Sequence, residues 1–231
     1  SFGIKRYSNI DYLTIGDRYL LGTESKHSST IEGHGGLYNF FFSNGVKFGK
    51  HLSLGLTLGY LSGSVNRTED IATSSTESLS VEKNVFYQNF IMNSGIQYKF
   101  KTGKLQWIAG ATYQPQQSLS TIEDNYIKDA SGNTLIQQKA KAGSFQYPTQ
   151  WGAGLTMIRS AWKFGVDYVA QDWKSVKYSG AGFQTTSSAN WAAGISYYKP
   201  KQTIFGLVDG ITYSAGITQD RSYLVLDGVQ I

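Results

Sequence analysis

Apolar and small or polar side chains alternate with a period of two over several stretches of this chain. In HLSLGLTLGY (residues 51–60), Leu52, Leu54, Leu56, Leu58 and Tyr60 share one side, and Ser53, Gly55, Thr57 and Gly59 share the other. That is the side-chain period of a β-strand. KLQWIAGATY places Leu105, Trp107, Ala109, Ala111 and Tyr113 together; QWGAGLTMI does the same with Trp151, Ala153, Leu155 and Met157; AWKFGVDYVA with Trp162, Phe164, Val166 and Tyr168. Residues 37–48 and 86–100, WAAGISYY and GITYSAGIT continue the pattern. The alternation predicts about eight to ten strands.

The connections fall into two kinds. FGKHLS (48–53), FKTGKL (100–105), IRSAW (158–162) and YKPKQT (198–203) read as tight turns, whereas residues 64–83, 118–141 and 174–188 are polar stretches rich in Ser, Thr, Asn and Asp that read as long loops. Successive antiparallel strands turn at opposite ends, so short turns would gather at one end and long loops at the other. This asymmetry belongs to outer-membrane barrels. The expected fold is therefore all-β: an antiparallel transmembrane β-barrel, with the leucine stripe of residues 52–60 against lipid and the glycine and serine side toward a wet interior.

Composition sharpens that choice. Charged residues are 16 % of the 231, aromatics are 14 % and glycines number 26, whereas soluble domains carry about 25 % charge. Water-facing strands need more charge than this. No apolar run approaches the ~18 residues of a spanning helix. Trp107, Trp162, Trp173 and Trp191 are expected to anchor at the membrane interface, as in the aromatic girdles of barrels. A soluble sandwich with these aromatics in its core is the competing fold. The net charge of +5 is scattered over turns rather than gathered in a stripe, which argues against a nucleic-acid partner. Cysteine is absent, excluding disulfides and thiolate chemistry. SFGIKRYSNI is not a secretory leader.

YPTQWGAGLTMIRSAWKFGVDYVAQDW, followed by WAAGISYYKP and GITYSAGI, resembles the C-terminal half of the FadL-type outer-membrane transporters of hydrophobic compounds, in their Bacteroidetes-like branch. The residues that carry the resemblance are Pro148, Gly152, Gly154, Asp167 and Trp173, then Trp191, Gly194 and Tyr197. The resemblance implies part of a fourteen-stranded barrel, with the N-terminal plug and C-terminal strands outside residues 1–231. It also implies a hydrophobic small-molecule substrate such as a long-chain fatty acid. The family usually places an Arg in the strand that here reads TYSAGI, where Ser214 stands. The chain ends on LDGVQI, an Asp227-Gly228 turn signal without a full returning strand.

Chemistry is sparse. His27, His34 and His51 are the only histidines; Glu32 and His34 are two apart with no third ligand evident, so no metal site is expected. EDNYIKDASGN does not follow a calcium-loop pattern and reads as a surface turn. No nucleophile elbow or phosphate loop occurs, and neither enzymatic activity nor a cofactor is expected. Lys163, Asp167 and Gln171 share the polar side of one strand and, with Arg159 nearby, are candidates to line a permeation path, because charges at membrane level mark pathways. The leading expectation is transport of hydrophobic compounds across the bacterial outer membrane, with outer-membrane lipid as surroundings. A barrel subunit with a structural or assembly role, working with protein partners in a membrane complex, is the first alternative. A soluble binder of a small ligand or glycan is the second.

Overall fold

A computed structural model describes residues 1–19, 26–72, 78–176, 179–180, 183–203, 206–226 and 228–230. The chain order is β1 (Phe2–Tyr19), β2 (Lys26–Phe48), β3 (Leu52–Ala72), β4 (Ser78–Thr102), β5 (Leu105–Gln114), β6 (Gln117–Lys128), β7 (Thr134–Tyr147), β8 (Gln150–Arg159) and β9 (Trp162–Gln171). There follow α1 (Trp173–Val176), β10 (Ser179–Gly180), β11 (Phe183–Thr185), β12 (Ser188–Thr203), β13 (Gly206–Arg221), β14 (Leu224–Leu226) and β15 (Val229–Gln230). The expected all-β antiparallel sheet is present. Its path runs β1-β2-β3-β4-β5-β8-β9-β12-β13, with β6 beside β4 and β7 beside β6, while β10, β11, β14 and β15 make a second small sheet. Among the described residues β1 and β13 stand at the two ends of that path, and the pairings described do not show the expected closed barrel. No described helix is long and apolar enough to cross a membrane.

Three of the expected tight turns occur where the sequence places them. Gly49 and Gly103 take φ near 60°, a left-handed conformation that glycine adopts without a Cβ clash. Ser160 holds the corresponding place between β8 and β9 with φ 53°. The fourth is displaced, because β12 continues through YKPKQT to Thr203.

Two of the three polar stretches expected as loops are largely strand instead, and the third holds only short elements. β3 runs on to Ala72 and β4 begins at Ser78, and residues 118–141 form most of the β6 and β7 pair. Residues 174–188 hold α1 and the short strands β10 and β11. Cross-strand ion pairs explain part of this. Lys128 Nζ lies 2.6 Å from Glu82 and Lys83 Nζ 2.8 Å from Glu123, so a polar sequence is stabilised as sheet by opposite charges on neighbouring strands. The expected turn at Asp227 lies outside the described residues.

The chain divides into two compact units: Ser1–Phe42, Leu58–Ile91 and Ser118–Phe145 form the first; Ser43–Thr57, Met92–Gln117 and Gln146–Ile231 form the second. The first unit has a small core of Leu61, Ile91 and Leu119, with Tyr7 and Phe145 packed against it. Buried Ser29 donates to Glu69 at 3.0 Å, and Arg67 donates to the other oxygen of Glu69 at 3.1 Å. The leucines of the 52–60 stretch do not join that core: Leu54, Leu56 and Leu58 are 40–48 % exposed.

Candidate interaction surface

The second unit presents two chemically distinct faces. Backbone register aligns Tyr98, Ala109, Leu155, Val166, Ala193 and Ile217 across six neighbouring strands. One step along, it aligns Phe100, Trp107, Met157, Phe164, Ile195 and Ala215. Side chains that are neighbours in register and equal in parity share a face, so this face is a continuous apolar sheet surface. Leu155 and Val166 at its centre are 45 % and 48 % exposed. A water-soluble sandwich would cover such a surface, since contiguous apolar patches of this kind are rare on soluble monomers.

Rings gather on this face. Trp107 stacks on Phe100 with centroids 6.2 Å apart, Trp162 stacks on Phe164 at 6.2 Å and meets Tyr197 at 4.8 Å, and Trp191 meets Tyr168 at 4.4 Å. Trp173, expected as a fourth anchor, is buried. It stacks on Tyr223 at 4.5 Å and donates its indole N–H to Gln171 at 2.8 Å. Its place after β9 turns it onto the second unit's own packing rather than onto the apolar face.

The opposite face mixes glycines with short polar side chains and encloses a cavity. Gly165, Gly194 and Gly216 stand directly across from one another on β9, β12 and β13, and Gly110 faces Gly154 across β5 and β8. A cavity of about 620 Å³ is floored by Gly95, Gly110, Gly152 and Gly154 and edged by Gln97, Thr112, Thr156 and Asp167. These lining residues occupy the positions alternate to the aromatic ones. The signal that finds them is therefore the glycine half of the same alternation.

The charged candidates are spread apart. Asp167 stands exposed at the cavity edge, and Lys163 is on the same face four residues earlier. Four residues of strand span about 13 Å, and no ion pair joins the two. Gln171 donates to Gln150 at 2.7 Å and to the Tyr147 hydroxyl at 3.4 Å. Arg159 pairs in register with Trp162 and so shares the apolar face, while its neighbour Ile158 lies opposite Lys163. Pro148 is fully buried just before β8. Among the described residues no three His, Cys, Asp or Glu side chains are grouped to hold a metal. The described lining of the cavity holds one carboxylate, Asp167, and no imidazole.

In the first unit, an apolar groove of about 760 Å³ is lined by Phe2, Ile4, Phe40, Phe42, Leu58 and Tyr60, among others. Further along the same face of β1 and β2, His34 bridges two carboxylates. Its Nε2 lies 2.7 Å from Glu32 and its Nδ1 3.2 Å from Asp11, its register partner on β1. The Glu32 hydrogen bond is the main cause that raises the imidazole pKa above its ordinary value.

Sheet order and exposed apolar face together define an all-β antiparallel sheet protein whose surface is adapted to a non-aqueous or protein-covered setting. The family model described as BamG matches residues 1–231, and the chain belongs to the BamG family. No curated protein and no solved structure matches the chain.

This match overturns the resemblance to FadL-type transporters, since it covers every stretch on which that resemblance was based. The physical reason lies in the register. Gly194 sits between Gly165 and Gly216, Gly154 faces Asp167, and Gly152 faces Val169. These positions report how small-residue strands pack side by side, a demand common to many apolar-faced sheets. With that resemblance goes the support for the transport reading and the fatty-acid substrate.

Proposed function

We propose that the chain is a non-enzymatic structural subunit of the machinery that assembles proteins into the bacterial outer membrane, seated in that membrane as part of a β-barrel and working through protein partners. Membership of the BamG family supports the association with the assembly machinery. The observation that carries the membrane placement is strand length matched to face. β5, β8 and β9 are each 10 residues long, the length a tilted strand needs to cross a hydrocarbon core of about 30 Å. β8 and β9 also carry exposed apolar residues on one side, Trp151 and Leu155 on the first and Trp162, Phe164 and Val166 on the second, with glycines among the residues of the other side. In hydrocarbon a row of leucines and aromatics needs no cover, and the backbone between them is satisfied by strand pairing. β2, β3 and β4, at 23, 21 and 25 residues, exceed that span, and their polar ends would project beyond the bilayer as contact surface for partners.

The test is affinity purification of the tagged full-length protein from detergent-solubilised outer membranes after chemical crosslinking, with depletion in parallel. Recovery of assembly-machinery subunits and loss of folded outer-membrane proteins on depletion are expected. A protein recovered alone, whose depletion leaves outer-membrane protein folding unchanged, would overturn the proposal.

A further inference from the structure

The tight turns of the second unit carry cations that no acid answers. Lys47 and Lys50 flank the β2–β3 turn, Lys99 and Lys101 precede the β4–β5 turn, and Arg159 and Lys163 flank the β8–β9 turn. Through residues 43–57, 92–117 and 146–166, which include all three turns, there is no Asp or Glu. None of these six cations is in an ion pair among the described residues. Like charges left together without counter-charge cost stability, so an anion from elsewhere is the natural complement.

One part of this rim is shaped as a site. Between the first two turns lies a cavity of about 460 Å³ lined by Lys50, His51, Lys99, Phe100, Lys101 and Gln106. Its walls are tied together: the Lys99 backbone N–H donates to the His51 carbonyl at 2.8 Å, and His51 Nδ1 lies 2.7 Å from the Lys99 carbonyl. A ladder of rings rises beside it, His51 to Tyr98 at 6.0 Å, Tyr98 to Phe100 at 6.0 Å and Phe100 to Trp107 at 6.2 Å. Rings and cations gather at one end of the strands, Lys99 and Lys101 alternating with Tyr98 and Phe100 along β4, the mixture that suits the level where acyl chains give way to phosphates in a leaflet.

We propose that the tight-turn rim of the second unit binds the phosphate headgroups of anionic phospholipids, with the cavity at Lys50, Lys99 and Lys101 seating one of them. The inference rests on the membrane placement argued above. Lipid phosphate is favoured over an acidic protein because the cations repeat along three turns at the same end of the strands. A leaflet offers phosphates in the same planar arrangement.

The test uses the full-length protein reconstituted in phosphatidylcholine vesicles with or without phosphatidylglycerol. Retained lipid is read by native mass spectrometry, and insertion is read separately by flotation after an alkaline wash. Wild type should retain phosphatidylglycerol over phosphatidylcholine. The triple variant Lys50→Gln, Lys99→Gln, Lys101→Gln should lose that preference by about ten-fold or more, at roughly 1 kcal/mol per cation near a charged surface. Lys26→Gln, at the far end of β2, should retain it, and unchanged heat-dependent gel migration would establish that the triple variant folds. Equal retention of the two lipids by inserted wild type, or undiminished preference in the triple variant, overturns the proposal and leaves the membrane placement standing. Failure to insert overturns both. Binding of a polyglutamate peptide through the same lysines, with no phosphatidylglycerol preference, makes the rim a protein-docking surface and also overturns it.

Discussion

The carboxylate of Asp167 on β9 occupies the space that a side chain at position 154 on β8 would fill. The two residues are register partners, and a Cβ placed on Gly154 would fall against Oδ1 of Asp167. Among the described residues Asp167 is the one carboxylate edging the glycine-floored cavity, and it is positioned by its neighbour's lack of a side chain. Gly154→Val should destabilise the protein by about 1–3 kcal/mol, the usual range for forcing extra methyl groups into a filled space, read as a lower midpoint of denaturant unfolding in detergent. Adding Asp167→Ala to Gly154→Ala should recover most of the loss seen in Gly154→Ala alone. Additive losses would show that the two residues do not compete for that space.

Leu61 and Leu56 lie on the same strand with opposite fates, fully buried in the first and 43 % exposed in the second. Leu61→Ala should cost about 2–5 kcal/mol, because Ile91 and Leu119 would be left lining a void. Leu56→Ala should stay within about 0.5 kcal/mol of wild type in detergent, as surface positions do. Comparison of unfolding midpoints decides, and equal losses would contradict the placement of the two faces.

His34 titrates beyond the apolar level of β2, whose outward row ends at Tyr38 opposite Arg6. Its folded-state pKa is raised, first by the hydrogen bond to Glu32, which outweighs the next influence, an opposing desolvation, and then by the charges of Glu32 and Asp11. The stabilisation from this bridge is fully present below the ordinary histidine pKa and disappears as pH rises through the raised one. An NMR titration of the His34 ring should give a midpoint above that of a free histidine. Glu32→Gln should lower that midpoint more than Asp11→Asn, and the reverse order would assign the dominant contact to β1.

Asp129 shows the opposite sign at the turn between β6 and β7. Its carboxylate accepts from the Asn133 side chain at 3.0 Å and from the backbone N–H groups of Asn133 at 2.8 Å and Ser131 at 2.9 Å. Those donors, the Asn133 side chain foremost, hold its pKa below the ordinary value. The turn keeps this stabilisation above the ordinary aspartate pKa and loses it only as pH falls through the depressed one. Asp129→Ala should raise amide exchange and proteolytic cleavage at residues 129–133 while leaving β5 and β8 protected. Protection unchanged at the turn would show that Gly132, with φ 82°, holds it alone.

Much of the sheet was legible in the sequence because a period of two identifies a strand and its two faces without any knowledge of partners. Trp151, Leu155, Phe164 and Val166 fall on one face, and Gly152, Gly154 and Asp167 on the other, as the alternation requires. The polar strands were not legible. Lys83 and Glu123 are forty residues apart, and neither reads as strand-forming until the other stands beside it. The burial of Trp173 depends on Tyr223, fifty residues later. The family is not legible for a related reason, because glycine and tryptophan at fixed strand spacing describe the packing of a sheet before they describe its task.

Gly165, Gly194 and Gly216 form a transverse line across three strands on the glycine-bearing side of the second unit. With no Cβ atoms to collide there, curvature can concentrate along that line rather than spread evenly over the strands. A methyl group added at Gly216 would press on the Ala193 carbonyl of the neighbouring strand, whereas one at Gly165 or Gly194 would meet its neighbours only at ordinary contact distance, so the tightest place on this line is at β13.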